Sequence, residues 1–263
     1  MMTELFGLRK IAPLVRSYAL PESRFDAHGE WHHGYGMFLL PSLRFKPVGR
    51  FSIKRSRVSS KTFQLDMMTQ RDALSGYSHY TRANMICANN ALSSPLQWSF
   101  EVKTAKNEQA PAYLHTGMIK SAVYKDKTIR YQTGRFSSTV PAPNSFACKT
   151  ALFDAVQRLS TQTGPLQFDY MDEYDELSTD HTLRYKGTYD VQMKNGMKPL
   201  SCFIETGSGN TPLSYWRDSS GRLLFWISGI QVIVLTEQNG KRISCDLKGD
   251  VVQRAQKETE DVR

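Results

Sequence analysis

Apolar and polar positions alternate in short runs along most of this chain, most densely between Thr211 and Leu247. There Tyr215 and Trp216 lead into Asp218-Ser219-Ser220-Gly221, then Leu223 to Ile227, Ile230 to Leu235, Asn239-Gly240 and Ile243 to Leu247. β-Branched and aromatic residues fit a pleated, half-buried surface, and Gly221 and Gly240 supply the positive φ of tight reversals. The stretch predicts an antiparallel meander.

Upstream, Trp31 to Leu40, Gly49 to Val58 and Thr62 to Met68 alternate or run apolar, and Leu96 to Val102 alternates strictly. Met118 to Tyr124 and Thr128 to Gln132 flank Lys125-Asp126-Lys127, while Leu183 to Met193 and Met197 to Glu205 flank Asn195-Gly196. Both read as hairpins. Residues 1–30 have no sustained period, contain Pro13 and Pro21, and predict an arm packed over something else. One segment breaks the strand pattern. After Pro141-Ala142-Pro143-Asn144, residues Cys148, Leu152, Val156 and Leu159 recur at helical spacing, with Lys149, Asp154 and Arg158 off that face. Gly164-Pro165 ends the run, so an amphipathic helix is expected near residues 146–160, plugging a barrel end or covering a sheet face.

The expected fold is mainly β: an antiparallel barrel or half-barrel of about eight to twelve strands with one packed helix. A β-sandwich is the alternative. The expected layout is an arm over 1–30, one β domain over 31–249 and a polar tail over 250–263. At 263 residues a single β domain is the default. Forty per cent hydrophobic and 22% charged residues are values of a globular chain, and no apolar run approaches a membrane-spanning helix. Met1 to Leu5 show no signal-peptide pattern, so the extracytoplasmic location favoured here supposes that one was removed. Cys87, Cys148, Cys202 and Cys245 form no CxxC unit, which argues against structural zinc. Buried free thiols and at least one disulfide both stay open.

Charge adds a second picture. The net charge is +9, and no Asp or Glu occurs from Trp31 to Leu65, where Arg44, Lys46, Arg50, Lys54, Arg55, Arg57 and Lys61 lie. Such a stripe attracts anionic partners or is simply a solvated face, and Arg50, Lys54 and Arg57 are its candidate ligand contacts. Asp169, Asp172, Glu173, Asp175, Glu176 and Asp180 form the opposite concentration. Their spacing is not that of an EF-hand, so a solvated loop lying apart from the basic stripe is expected, and no metal site.

Three of the six histidines fall between Asp26 and Gly36. His28, Glu30 and His32 share a strand face, and with His33 and Tyr35 they have the residue types of acid–base chemistry on a carbohydrate. Tyr215 and Trp216, beside Arg217 and Asp218, suggest the rim of a ligand site. No GxGxxG, Walker loop or paired CxxC occurs, and Gly207-Ser208-Gly209 is not a nucleophile elbow, so no cofactor is expected. The strand cations lack the interleaved aromatics of RNA-binding sheets, which disfavours nucleic acid.

An arm, strands, one covering helix and a terminal meander, with Tyr215-Trp216-Arg217-Asp218 and Gly221-Arg222-Leu223-Leu224 closing it, resemble extracytoplasmic barrel or half-barrel carriers. Lipocalins and the periplasmic lipoprotein carriers are the nearest comparisons. The resemblance implies a cavity or concave sheet for an apolar or mixed ligand, with no chemistry. The leading expectation is therefore a non-catalytic extracytoplasmic binding protein for an acidic glycan or an amphipathic ligand. The alternative is a carbohydrate-active hydrolase or lyase using the cluster from His28 to His33.

Overall fold

The computed structural model describes residues 7–40, 46–72, 76–113, 116–143, 145–172, 176–207 and 211–243. Its sixteen strands belong to a single sheet. One wing runs outward from β1 (Trp31–Leu39) through β2 (Pro47–Arg57), β3 (Thr62–Asp72), β4 (Ser78–Ala88), β5 (Pro95–Ala105), β6 (Met118–Lys125), β7 (Thr128–Thr133) and β8 (Phe136–Pro141). The other runs from β15 (Gln231–Gln238) through β14 (Leu223–Ile227), β13 (Leu213–Arg217), β12 (Gly196–Thr206), β11 (Glu176–Met193) and β10 (Leu166–Asp172) to β9 (Phe146–Cys148). All these neighbours are antiparallel except β9 and β10, and the short β16 (Lys241–Arg242) pairs with β15.

The wings join where β1 pairs with β15, Tyr35 opposite Leu235 and Met37 opposite Ile233. The mainly-β, half-barrel expectation holds. The strands exceed the expected number, and one unclosed sheet replaces the sandwich alternative. Among the described residues, no helix is long and apolar enough to cross a membrane.

Among the described residues two helices accompany the sheet: α1 (Ala12–Ser17), which follows a 3-10 turn at Leu8–Ile11, and α2 (Lys149–Arg158). They explain why β14 and residues 232–235 of β15 read as continuous apolar runs rather than alternating ones, and why β13 is almost wholly buried. On one face lies the N-terminal arm, where the Tyr18 hydroxyl donates to the Leu235 carbonyl at 2.9 Å and the Tyr18 and Phe225 rings meet at 5.1 Å. On the other lies α2, whose Phe153 packs edge-on against Tyr35, Phe51 and Tyr215. A strand covered on both faces has no polar side.

The helix falls where its period predicts but is enclosed rather than laid over the sheet. It touches β3 in one wing and β10 and β14 in the other, and residues 150–157 are all buried. Its polar residues must therefore find partners inside. Asp154, fully buried, pairs with Arg55 Nε at 3.0 Å and Arg158 Nε at 2.8 Å, and accepts a bond from Ser93 Oγ at 2.6 Å. Arg55 also donates to the carbonyls of His28 and Gly29, at 2.6 and 2.8 Å. It thus leaves the basic stripe and ties β2, the helix and the end of the arm together.

The turn at Asp218–Gly221 grips the other side of the helix end. The Asp218 carboxylate accepts from the backbone N–H groups of Ser220 and Arg222 at 2.9 and 3.0 Å. Gly221 has φ +91°, and a Cβ there would stand 2.6 Å from the Gln157 carbonyl. Gly221→Ala is expected to cost about 1–3 kcal/mol, since both the backbone angle and the helix end resist it; urea denaturation measures this, and an unchanged midpoint would contradict the packing.

The described part of the acidic segment is strand rather than loop. β10 and the long β11 occupy it, with Phe168 and Met171 turned into the core, while Glu173 and Asp175 lie outside the described residues. On the sheet path it belongs to the opposite wing from β2. Cys87, Cys148 and Cys202 are buried free thiols, while Arg44, Ser208, Cys245 and the tail 250–263 lie outside the described residues.

Candidate functional site

The inward residues of β3 change character along the strand: Phe63, Leu65, Met67, then Thr69, then Arg71. The antiparallel β4 repeats the series in reverse, and the register sets Met67 opposite Ala83, Thr69 opposite Thr81 and Arg71 opposite His79. The concave face is therefore apolar at depth, hydroxylic next, and cationic at one end. Helix α2 fills the apolar part with Phe153 and Leu152.

Beyond the helix N-terminus the bowl stays open as a cavity of about 410 Å³. Met37, Phe51, Met67, Phe100, Met118, Met171 and Ile233 form its apolar wall, and Thr69, Arg71, His79, Thr81, Lys149, Tyr170 and Asp172 its polar part.

Lys149 is half-buried, with its ammonium 4.3 Å from the centre of the Trp226 ring. Burial and the neighbouring Arg71 push its pKa down to about 8, against the pull of Asp172 and Glu205. Behind it lies a buried polar cluster. The Glu205 carboxylate accepts from the Tyr215 hydroxyl at 2.6 Å and contacts His181 Nδ1 at 3.1 Å. Burial, followed by the charge of Glu205, drives the Tyr215 pKa well above its ordinary value. Tyr170, from the cavity wall, stacks on the His181 ring at 5.0 Å, and that ring leaves no room for a side chain at Gly207, where a Cβ would stand 2.4 Å from it.

The residues singled out in the sequence are distributed differently. His28, Glu30 and His32 are exposed, whereas His33 and Tyr35 point into the core at 0% and 1% exposure. A strand sends successive side chains to opposite faces, so β1 divides the cluster. His33 stacks on Trp31 at 4.7 Å, its Nδ1 lies 3.2 Å from the Tyr35 hydroxyl, and that hydroxyl donates to the Leu223 carbonyl at 3.4 Å. Burial, aided by Arg222 and His32, lowers the His33 pKa to about 3, and burial raises that of Tyr35.

Arg50, Lys54 and Arg57 are all exposed, Arg50 and Lys54 on the outer face of β2. Arg50 Nε donates to Gln70 Oε1 at 2.9 Å, Lys54 stands opposite Asp66, and the Arg57 backbone N–H donates to Glu30 Oε1 at 2.9 Å. His32 and Lys54 border an outer groove of mixed charge, where Arg82 pairs with Glu108 and Asn84 donates to Asp66. Tyr215 and Trp216 form no rim: both are 0% exposed, because the helix covers one face of β13 and the Trp216 face is closed as well. The cavity's own polar residues, Thr69, Arg71, His79, Thr81 and Lys149, were not singled out by motif. The signal for Thr69, Arg71, His79 and Thr81 was the graded alternation along β3 and β4; Lys149, on α2, carried none.

No protein-family model matches the chain. No curated protein matches it. Among solved structures, the chain is similar to one described as a beta-barrel-like protein of domain of unknown function DUF1849 from Brucella abortus, with a TM-score of 0.52 and 10% identity. The likeness covers 82% of this chain and 98% of that one. At this identity it concerns fold: it agrees with the barrel-like part of the resemblance seen in the sequence and does not extend to its carrier part.

Proposed function

We propose that this protein binds an amphipathic small molecule within the concave side of its half-barrel. The observation that carries the reading is the gradient along β3 and β4, from Phe63 and Leu65 through Thr69 and Thr81 to Arg71 and His79. A ligand with one apolar and one polar end is the chemical complement of such a wall. The volume, about 410 Å³, falls within the roughly 300–1,000 Å³ of small-molecule sites. Four methionines in the lining favour an adaptable fit, because unbranched thioethers repack around different shapes. Removing apolar ligand surface from water supplies the driving force, at ~25 cal/mol per Å². An acidic glycan on the outer stripe is less well supported, since Arg50 is hydrogen-bonded to Gln70 and Lys54 faces Asp66.

Titration with the neutral, apolar fluorescent probe N-phenyl-1-naphthylamine tests the reading. Saturable binding is expected, weakened about tenfold or more by Thr81→Trp, which fills the inner wall, and unaffected by Lys54→Glu on the outer face. Loss on Lys54→Glu with Thr81→Trp silent would move the site to the outside.

A further inference from the structure

We infer that the polar end of the ligand is a carboxylate, anchored between Lys149 and Arg71; this deepens, and rests on, the cavity reading above. Both cations line the cavity, and they come from unconnected elements, the first turn of α2 and the end of β3. They lie close enough for Arg71 to depress the Lys149 ammonium. An anion placed between them removes that repulsion.

The local charge selects the kind of anion. Arg71 and Lys149 are opposed in the lining by the single carboxylate of Asp172. Glu205 lies behind the lining with its two oxygens engaged by Tyr215 and His181, and its charge still pulls on Lys149. His79 directs Nδ1 to Thr104 Oγ1 at 2.9 Å. The lining therefore holds two cations against one carboxylate, and Glu205 behind it reduces the excess further, so a monoanion is favoured over a dianionic phosphate monoester. A guanidinium also matches the planar oxygens of a carboxylate, and a charge-assisted hydrogen bond is about twice as strong as a neutral one. Thr69 and Thr81 stand next along the wall, ahead of Met67 and Phe100, so a linear chain leaving the carboxylate meets hydroxyls and then apolar surface.

Submicellar dodecanoate, dodecanol, dodecyltrimethylammonium and dodecyl phosphate, titrated in displacement of the fluorescent probe, separate the possibilities. Dodecanoate is expected to bind about tenfold or more tightly than each of the others, and Lys149→Met and Arg71→Gln should each remove that advantage while leaving dodecanol unchanged. Arg71 is exposed, so its replacement keeps the test intact if Lys149→Met fails to fold. The advantage should also shrink as pH rises through about 8, where Lys149 loses its proton among Arg71, His79, Tyr170, Asp172 and Glu205. Dodecanol binding as tightly as dodecanoate would overturn the carboxylate and leave the cavity reading standing. Preference for dodecyl phosphate would replace the carboxylate by a phosphate. Binding of none of the four would overturn both readings.

Discussion

Asp154→Ala is expected to remove about 3–5 kcal/mol of folding stability, because it leaves buried guanidinium groups without their counter-charge. Asp154 is fully buried, and Arg55 and Arg158 meet it from two directions, with side chains only 5% and 8% exposed. Ser93 donates to the same oxygen as Arg158. Both guanidinium groups also lie over Phe63, at 4.2 and 5.4 Å from the ring centre, so retreat into water would uncover an aromatic core residue. Asp154→Asn keeps a carbonyl for Ser93 and removes the charge, which should give an intermediate loss. Arg55→Met combined with Asp154→Leu should recover part of it, since an apolar pair of similar volume carries no desolvation cost. Guanidinium denaturation reads all three. A loss below about 1 kcal/mol for Asp154→Ala would mean that the carboxylate behaves as a hydrated surface group.

Acid should destabilise the fold through His33. Its ordinary pKa of 6.5 falls to about 3 in the native protein, so the fold holds the imidazole neutral. Below 6.5 the unfolded chain binds a proton that the native state refuses, and stability therefore falls as pH falls. The loss begins near 6.5 and is complete near 3. At 1.36 kcal/mol per pH unit it reaches about 4–5 kcal/mol as an upper bound. Other groups titrate in the same range, which makes the variant informative. His33→Phe retains stacking against Trp31 and Phe25, and its stability should depend less steeply on pH between 6.5 and 3 than that of the parent. Superimposable curves for the two proteins would show that His33 takes up its proton without resistance.

Turns and alternation were legible because they are local. Asp126 and Lys127 have φ of 50° and 58°, and Asn239 and Gly240 47° and 78°, as two-residue hairpin loops demand. The helix was legible for the same reason, from the spacing of Leu152 and Val156. The division of His32 from His33 follows from the strand period alone. Which of the two faces became the inside does not, since that depends on what packs against β1. The candidate cavity was half legible: the series Phe63, Leu65, Met67, Thr69, Arg71 is visible in the chain, but Lys149 joins Arg71 only through folding across 78 positions.

By itself, the sequence determined a mainly β chain, its reversals and its single long helix, since sterics and hydrophobic period act between residues a few positions apart. Tertiary structure alone decided that β1 closes on β15, that α2 lies inside the curved sheet, and that Arg55 and Asp154 become a buried pair. It also decided that Tyr215 and Trp216 are core, and that Arg71, Thr81 and Lys149 share one cavity. Those outcomes rest on contacts between residues far apart in the chain, where burial on a curved sheet, not local propensity, sets which side chains meet and which face water.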